Sequence, residues 1–451
     1  MKNKIICIPI ETKVREFDGK ILLAAHLLNS NQQVMIGSRK GINREMNYLQ
    51  NSIYFAKSIS RSLTQFYENL CVNGNKIVVQ NVEGGILYED EKEHFISSYP
   101  KELLPLLDSI YLFGSKIKKI FIESIPGVDE TKLHITGDFR FDLLKSKYRE
   151  FYQNEVDEIY RKYGKFILFN TSFSLANPFV GEKKLKQFID ENSDFDSETR
   201  DKLFFKNKFY TEILNHYLDV IEELANKFHD VNFIIRPHPS ESLKVYQNKF
   251  DSFENVIVTN EGNVHNWILA STGVVHYDCT TGIESVLAEK PTIAFVPQKN
   301  KEVFAWLPAF VSKEVDNTKD IIRQIENILM GKHDCKLSII QHDTLEKYIA
   351  NIATSCVEAI VKSIHGLTKN ALPTVQKKSF KLEWLRIRSI MVFLKNKFLQ
   401  KDKKSIVMKK FGRIDKTEII NKIKSIQKIE NFSFRFKVKK LGSDVILISK
   451  K

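Results

Sequence analysis

A few short runs concentrate the side chains that could do chemistry. Arg236-Pro237-His238-Pro239-Ser240-Glu241 directly follows VNFIIR, which reads as a strand. Residues at the carboxyl end of a parallel strand face the ligand crevice, and prolines on either side of the histidine fix the backbone. Imidazole and guanidinium both donate to phosphate oxygens, so Arg236, His238 and Ser240 are candidates for gripping a phosphate; the alternative is a rigid surface turn. Asp278-Cys279-Thr280-Thr281-Gly282-Ile283-Glu284 also follows a strand and opens a helix. Thr280, Thr281 and the N–H groups around Gly282 offer an anion site at a helix N-terminus, with Glu284 placed to accept from a ribose hydroxyl. A capping box would use the same groups. Glu261 and Asn263, ahead of His265 and Trp267, either line a base pocket or form a loop that caps a helix.

Other runs supply the remaining candidates. Glu83, beside Gly84 and Gly85 at the end of KIVVQ, is the best-placed general base, or the acid of a simple glycine turn. Glu11, Arg15, Glu16 and Asp18 follow the first strand and either bind an acceptor or are surface charge. Arg140 meets a phosphate or holds a hinge. Thr171 and Ser172 end the strand FILFN and approach the same phosphate. His26, His134, His216 and His229 show no partner pattern and read as structural. No CxxC or Cys/His metal spacing occurs, and no G-x-G-x-x-G follows a strand, so neither a metal site nor a dinucleotide fold is expected.

Positioning these groups takes strands that alternate with helices, the sign of βαβ units. Apolar runs at 4–9, 33–37, 76–80, 109–113, 118–122 and 133–137 read as strands, with helices over 19–29 and 51–71. A charged helical connector covers 143–163. The pattern then restarts, with strands at 166–170, 231–236, 256–258, 274–276 and 292–296. Helices are expected over 210–228, 282–289, 320–330 and 345–363. The fold class is therefore α/β, with two Rossmann-like domains facing across a cleft. The expected division is 1–150, an acceptor-side domain, 151–365, a nucleotide-sugar donor domain, and 366–451, a basic tail.

The 451 residues carry 69 Lys+Arg against 55 Asp+Glu, a formal charge of +14. That excess is local. Residues 366–451 hold 24 basic and 6 acidic side chains, a net of +18, which leaves the body near −4. An acidic body argues against a nucleic-acid partner. Phe380, Trp384, Ile387, Met391, Leu394 and Phe398 fall on one helical face, with Lys381, Arg386, Arg388, Lys395 and Lys397 off it. Such a basic amphipathic helix suits an anionic membrane surface. Hydrophobic content of 43% excludes global disorder. Five scattered cysteines, no h-region at the start and no long apolar run point to the reducing cytoplasm, peripheral on the inner face of the cytoplasmic membrane.

In these runs the sequence resembles a bacterial family of surface carbohydrate biosynthesis proteins. The matching stretches are IPIETKVREFDGK, GDFRFDLL, FILFNTSFSLANPF, IIRPHPSE, EGNVHNWILA and CTTGIESVLAEKP, spread over residues 1–300. That family is similar to the GT-B type enzymes of capsule synthesis, among them polysialyltransferases and capsular Kdo transferases. The resemblance implies that Glu83 is the base, that His238 contacts the donor phosphate, and that Thr280 and Thr281 bind the donor nucleotide. Val82 stands where those enzymes carry a first acidic residue. Of their Gly-Asn-Pro-Arg run, only Gly137 and Arg140 carry over. The expected activity is metal-independent transfer of a sugar to a glycan or lipid-linked glycan acceptor. The expected donor is a CMP-activated nonulosonic or ulosonic acid, with no further cofactor. A CDP-polyol or UDP-sugar transferase, a UDP-sugar 2-epimerase and a non-catalytic glycan- or nucleotide-binding subunit are the alternatives.

Overall fold

The isoleucine-rich runs become strands because both their faces are covered. In β1 (Ile5–Ile10), Ile6, Cys7, Ile8 and Ile10 are sealed from solvent, as expected of a parallel strand between helical layers. The computed structural model describes residues 4–81, 98–192, 196–369, 414–442 and 444–451. It consists of two α/β units, each a Rossmann-like parallel sheet flanked by helices.

The first unit runs up to Phe151 and takes up the chain again from Glu346. Its strands are β1, β2 (Gln33–Ser38), β3 (Ile53–Ala56), β4 (Lys76–Gln80), β5 (Ser109–Leu112) and β6 (Leu133–Ile135). They pair in parallel in the order β2-β1-β3-β4-β5-β6. The chain steps from β1 to β2 on one side and then to β3 on the other. This reversal leaves a switch point beside the carboxyl end of β1, where ligands bind in open α/β sheets.

Two local readings are corrected here. Residues 51–71 are not one helix. They contain β3, whose IYFA run is buried throughout, followed by the helix Thr64–Val72. Four residues are too few to display a period. Residues 118–122 are not a strand but part of the helix Ser115–Ser124, in which Ile117, Ile120 and Phe121 turn inward at helical spacing.

The larger difference lies at the C-terminus. Residues 414–451 are part of the first unit's fold, not of a separate membrane-associating tail. β14 (Val445–Lys450) pairs antiparallel with β2, and β13 (Phe436–Lys440) pairs antiparallel with β14. Left alone, β2 would be an open edge. The seat for the hairpin is cut to shape: a Cβ on Gly37 would lie 2.3 Å from the Asp444 carbonyl oxygen, and Ser38 N–H donates to that oxygen at 3.0 Å. Ahead of the hairpin, the helix Lys416–Glu430 buries Ile419, Ile423 and Ile426. It is tied to the first helix, Lys13–Asn29, by Lys422–Asp18 at 2.9 Å and Glu418–Lys13 at 2.6 Å. Burial alone would raise the Glu430 carboxyl. The neighbouring His26 ring, 3.6 Å away, and hydrogen bonds from Lys147 and Tyr148 outweigh it and hold the group at about 2.

The stretch 346–365, read as the end of the donor domain, also belongs to the first unit. Asp142 accepts the N–H groups of Cys356 (3.2 Å) and Val357 (2.8 Å), capping the helix Cys356–Lys369. Gly137 has φ +68°, and a Cβ there would lie 2.2 Å from the Ala350 carbonyl, so the returning chain needs that glycine. The basic run 370–413, including the aromatic stripe from Phe380 to Phe398, lies outside the described residues, as do Val82 and Glu83. Both ends of that basic run are anchored in the first unit, so it is an internal segment of the chain rather than its end. No described helix is long and apolar enough to cross a membrane.

The second unit spans Tyr152–Leu345. Its strands are β7 (Phe166–Asn170), β8 (Asn232–Arg236), β9 (Val256–Val258), β10 (Gly273–His276), β11 (Thr292–Phe295) and β12 (Lys313–Val315). They are all parallel, in the order β12-β11-β10-β7-β8-β9. The core includes Ile167, Phe169, Phe233, Ile235 and Val275, packed under the 31-residue helix Ser197–Lys227. From β7 the chain builds outward to β9, then returns to β10 on the other flank. The switch point therefore lies between β7 and β10.

Candidate functional site

That switch point collects the runs singled out from sequence. Thr171 and Ser172 leave β7, Arg236 to Ser240 leave β8, and Asp278 to Glu284 leave β10. Three adjacent parallel strands thus deliver them to one edge of one sheet.

A buried carboxylate shapes the first cluster. Glu241 accepts from Thr171 Oγ1 at 3.0 Å, Phe173 N–H at 2.9 Å, His238 N–H at 3.1 Å and the Tyr246 hydroxyl at 2.6 Å. It fixes both ends of the Pro-His-Pro turn, and Thr171 is committed to it rather than exposed to a ligand. Ser240 is exposed, and its N–H donates to His238 Nδ1 at 3.2 Å. In the neutral ring the proton therefore sits on Nε2, which makes that nitrogen a donor.

Arg236 does not have the phosphate-gripping role read from sequence. Its guanidinium donates to the carbonyls of Glu261 (2.5 Å) and Gly262 (3.1 Å) and stacks over Trp267 at 5.3 Å. Burial lowers its pKa to about 10, against the raising effect of Glu261, so it stays charged at neutral pH. Its work is to hold the 261–267 loop. Glu261 serves that loop through its backbone, whose carbonyl also accepts from Trp267 Nε1 at 2.8 Å. Asn263 caps the helix Val264–Ala270 by accepting His265 N–H at 3.0 Å. Here the capping alternative is the observed one.

The loop leads to the third cluster. His265 sits 3.8 Å from Glu284 Oε2 and 3.3 Å from the Tyr152 hydroxyl. Glu284 is 6% exposed, and among the described residues its Oε2 has no hydrogen-bond partner. A buried polar atom left in that state is costly, and a ligand hydroxyl would relieve it. The helix Thr281–Leu287 has no side-chain cap from Thr280, and its Gly282 N–H is taken by the Cys279 carbonyl at 2.9 Å. The capping box is therefore not the observed arrangement, and the buried Thr281 hydroxyl has no hydrogen-bond partner among the described residues. Gly282 is there for packing: a Cβ would lie 2.3 Å from His276 Nε2.

The sequence reading gave Asp278 no role of its own. It accepts from Ser172 Oγ at 2.8 Å and the Tyr210 hydroxyl at 3.0 Å. Burial pushes its carboxyl up to about 6 despite those hydrogen bonds. Only its position two residues after β10 signalled it.

In the first unit, the acceptor-side candidates fall at the matching switch point. Burial would raise Glu16, but the charges of Lys20 and Lys57 and its hydrogen bonds, including Thr12 N–H at 3.0 Å, hold it at about 2. Glu16 thereby caps the first helix. Lys20 is buried beside it and donates to the Pro9 carbonyl at 2.5 Å. Glu11 pairs with Lys57 at 2.9 Å and Arg39 at 3.6 Å. Lys57 and Arg39 follow β3 and β2, and sequence reasoning missed both. Lys57 was hidden by the helical reading of 51–71. Asp18 is bound to Lys422, and Arg15 is half-buried. Arg140 belongs to this unit, and its guanidinium is held by Asp138 at 2.6 Å. Among the described residues, no group of three His, Cys, Asp or Glu side chains is placed to hold a metal ion.

No protein-family model matches the chain, and no curated protein does. Among solved structures it is similar to a variant of the wall teichoic acid polymerase TagF, with a TM-score of 0.51 and 12% identity. That match covers 81% of this chain and 89% of the other. It is also similar to S. aureus MnaA in a co-structure with UDP (TM-score 0.48, 12% identity, 84% of this chain and 100% of that one). A UDP-N-acetylglucosamine 2-epimerase follows at 0.47 and 12%, with the same coverage. The TagF likeness, at this identity, is one of fold: the chain shares its α/β architecture of two Rossmann-like units.

Proposed function

We propose that this chain is a glycosyltransferase of surface-glycan assembly, with a nucleotide-activated sugar held by the second unit. The observation that supports this most is Glu284. Its carboxylate is buried at the switch point, and its Oε2 accepts no hydrogen bond from any described residue, as suits a group waiting for a ribose hydroxyl. His238, with Nδ1 occupied, presents Nε2–H as the donor to the departing phosphate, where charge develops during transfer. Arg236, Glu241 and Asn263 hold the loops that carry these groups. Glu83 is the base that takes the acceptor hydroxyl proton in this reading.

The donor we propose is a CMP-linked nonulosonic or ulosonic acid. A CMP leaving group has a single phosphate, so its release needs no divalent ion to bridge two. The acceptor is a glycan or lipid-linked glycan. The basic segment 370–413, rather than the whole C-terminus, brings the enzyme to anionic lipid on the inner face of the cytoplasmic membrane.

Thermal shift against CMP, CDP and UDP tests the reading. A ligand at a hundred times its Kd stabilises the native state by about 2.7 kcal/mol. CMP is expected to give the largest shift, and Glu284→Gln to lose it while still melting cooperatively. Selective stabilisation by CDP or UDP would reassign the donor to a polyol or neutral sugar. No response to any nucleotide would remove the donor-site reading. Glu83→Gln is expected to abolish transfer and spare nucleotide binding. Replacing 371–412 by a flexible linker should abolish sedimentation with anionic vesicles and leave the melting temperature unchanged.

A further inference from the structure

The second unit has another cavity, at the opposite end of its sheet. Lys290 and Thr292 stand at the start of β11, and Ser312 and Lys313 at the start of β12; with Lys332 to Leu337 they line a space of about 300 Å³. The switch-point residues leave the carboxyl ends of the same sheet. Roughly 10 Å of strand separates the two places, at about 3.3 Å per residue.

The lining is cationic. Lys290, Lys313, Lys332 and Lys336 face a single carboxylate, Asp334, and Asp334 already accepts the Lys336 N–H at 2.9 Å. Lys313, Lys332 and Lys336 make no ion pair with any described residue, whereas Lys290 is fixed by donating to the Ser271 carbonyl at 2.9 Å. Burial and the charge of Lys313 keep His333 below its ordinary value, against the pull of Asp334, so it is a neutral hydrogen-bonding group at pH 7. Like charges gathered around a concavity repel one another, and a bound anion cancels that repulsion. The amides of Gln324, Asn327 and Gln341 complete the walls. No Phe, Tyr or Trp lines the cavity, so it offers no face on which a nucleobase would stack.

We propose that this cavity is a second binding site, for a small phosphate-bearing anion without a base: a diphosphate or a sugar phosphate. A cavity of this volume is at the lower end of the range for small-molecule sites. Val286 lines it from the helix that also carries Glu284, so occupancy touches an element of the switch-point site.

Isothermal titration of the full chain with inorganic pyrophosphate tests the proposal, with glucose 1-phosphate as a second titrant to distinguish the two sources. Saturable 1:1 binding is expected, persisting when CMP is saturating. The double variant Lys313→Glu, Lys332→Glu is expected to weaken it at least tenfold with an unchanged CMP thermal shift. If charge reversal unfolds the unit, Lys332→Ala, at an exposed position, should still weaken binding severalfold. The proposal is overturned by no saturable binding of either titrant, by equal affinity in the variants, or by complete displacement with CMP.

Discussion

Ile446 offers a direct test that the C-terminus is part of the first sheet. It is fully buried, lies in β14 and is in register with Ile36 of β2. Ile446→Ala removes buried methylenes from a packed interior and leaves a cavity, at a cost of about 2–5 kcal/mol. For a unit of 150–250 residues each kcal/mol lowers the melting temperature by about 2–4 °C, so a mid-range loss of about 3.5 kcal/mol gives roughly 7–14 °C. The matched control is Lys437→Ala on the exposed side of β13, expected within about 0.5 kcal/mol of wild type. Removing the whole segment is far worse. Residues 414–451 contribute eleven buried apolar side chains. Even at about 1.5 kcal/mol each they represent more than 15 kcal/mol of gross burial, as large as the entire net stability of a domain, about 5–15 kcal/mol. Truncation at Arg413 should therefore unfold or aggregate the first unit, with β2 bared as an edge. Differential scanning calorimetry reads both. An Ile446→Ala protein that melts with the Lys437→Ala control, or a soluble and cooperatively folded truncation, would refute the assignment of these residues to the sheet.

Three further outcomes follow from buried groups. Glu16→Gln strands Lys20 in the interior and should cost about 3–5 kcal/mol at pH 7 by chemical denaturation. Because the folded carboxyl is held at about 2, below its ordinary 4.5, the advantage of wild type is present above pH 4.5 and should shrink as pH falls toward 2; a gap independent of pH would contradict the charge argument. Asp278 runs the other way. Its folded pKa of about 6 stands above the ordinary 3.8, so the native state holds the proton more tightly. Stability should decline from pH 4 to 6 and stay lower above, and Asp278→Asn should lose that slope in urea midpoints; parallel profiles would rule the effect out. Gly282→Ala forces a methyl against the buried His276 ring. It should cost about 1–3 kcal/mol and weaken nucleotide binding, and normal stability with normal binding would show that the ring yields.

The elements easiest to read from sequence are those whose pattern is local. FILFN, VNFIIR and KIVVQ announce strands because a parallel strand buried on both faces is a continuous apolar run. Their order, strand after helix, is enough to give two Rossmann-like units. What local pattern does not contain is partnership across the chain. β14 looks like any apolar run until β2 is known to lack a neighbour, and the two lie over 400 residues apart. The tail's net charge pointed outward to lipid, yet Lys422 is paired with Asp18 and Lys147 with Glu430 inside the first unit. The same blindness governs the site. Residue types located three strand ends that meet at one edge of one sheet, because Arg, His, Thr and Glu after parallel strands are where α/β proteins keep their polar groups. They gave no sign of which of these groups are already spent. Arg236 and Thr171 look as reactive in sequence as His238 and Glu284. Only the geometry shows that the first two are satisfied by Glu261, Gly262 and Glu241, whereas Glu284 is buried with an oxygen that accepts no hydrogen bond from any described residue. A ligand binds where the fold has left hydrogen bonds unmade, so the positions to test first are those whose polar atoms the fold leaves unsatisfied, not those whose residue type is most striking in the sequence.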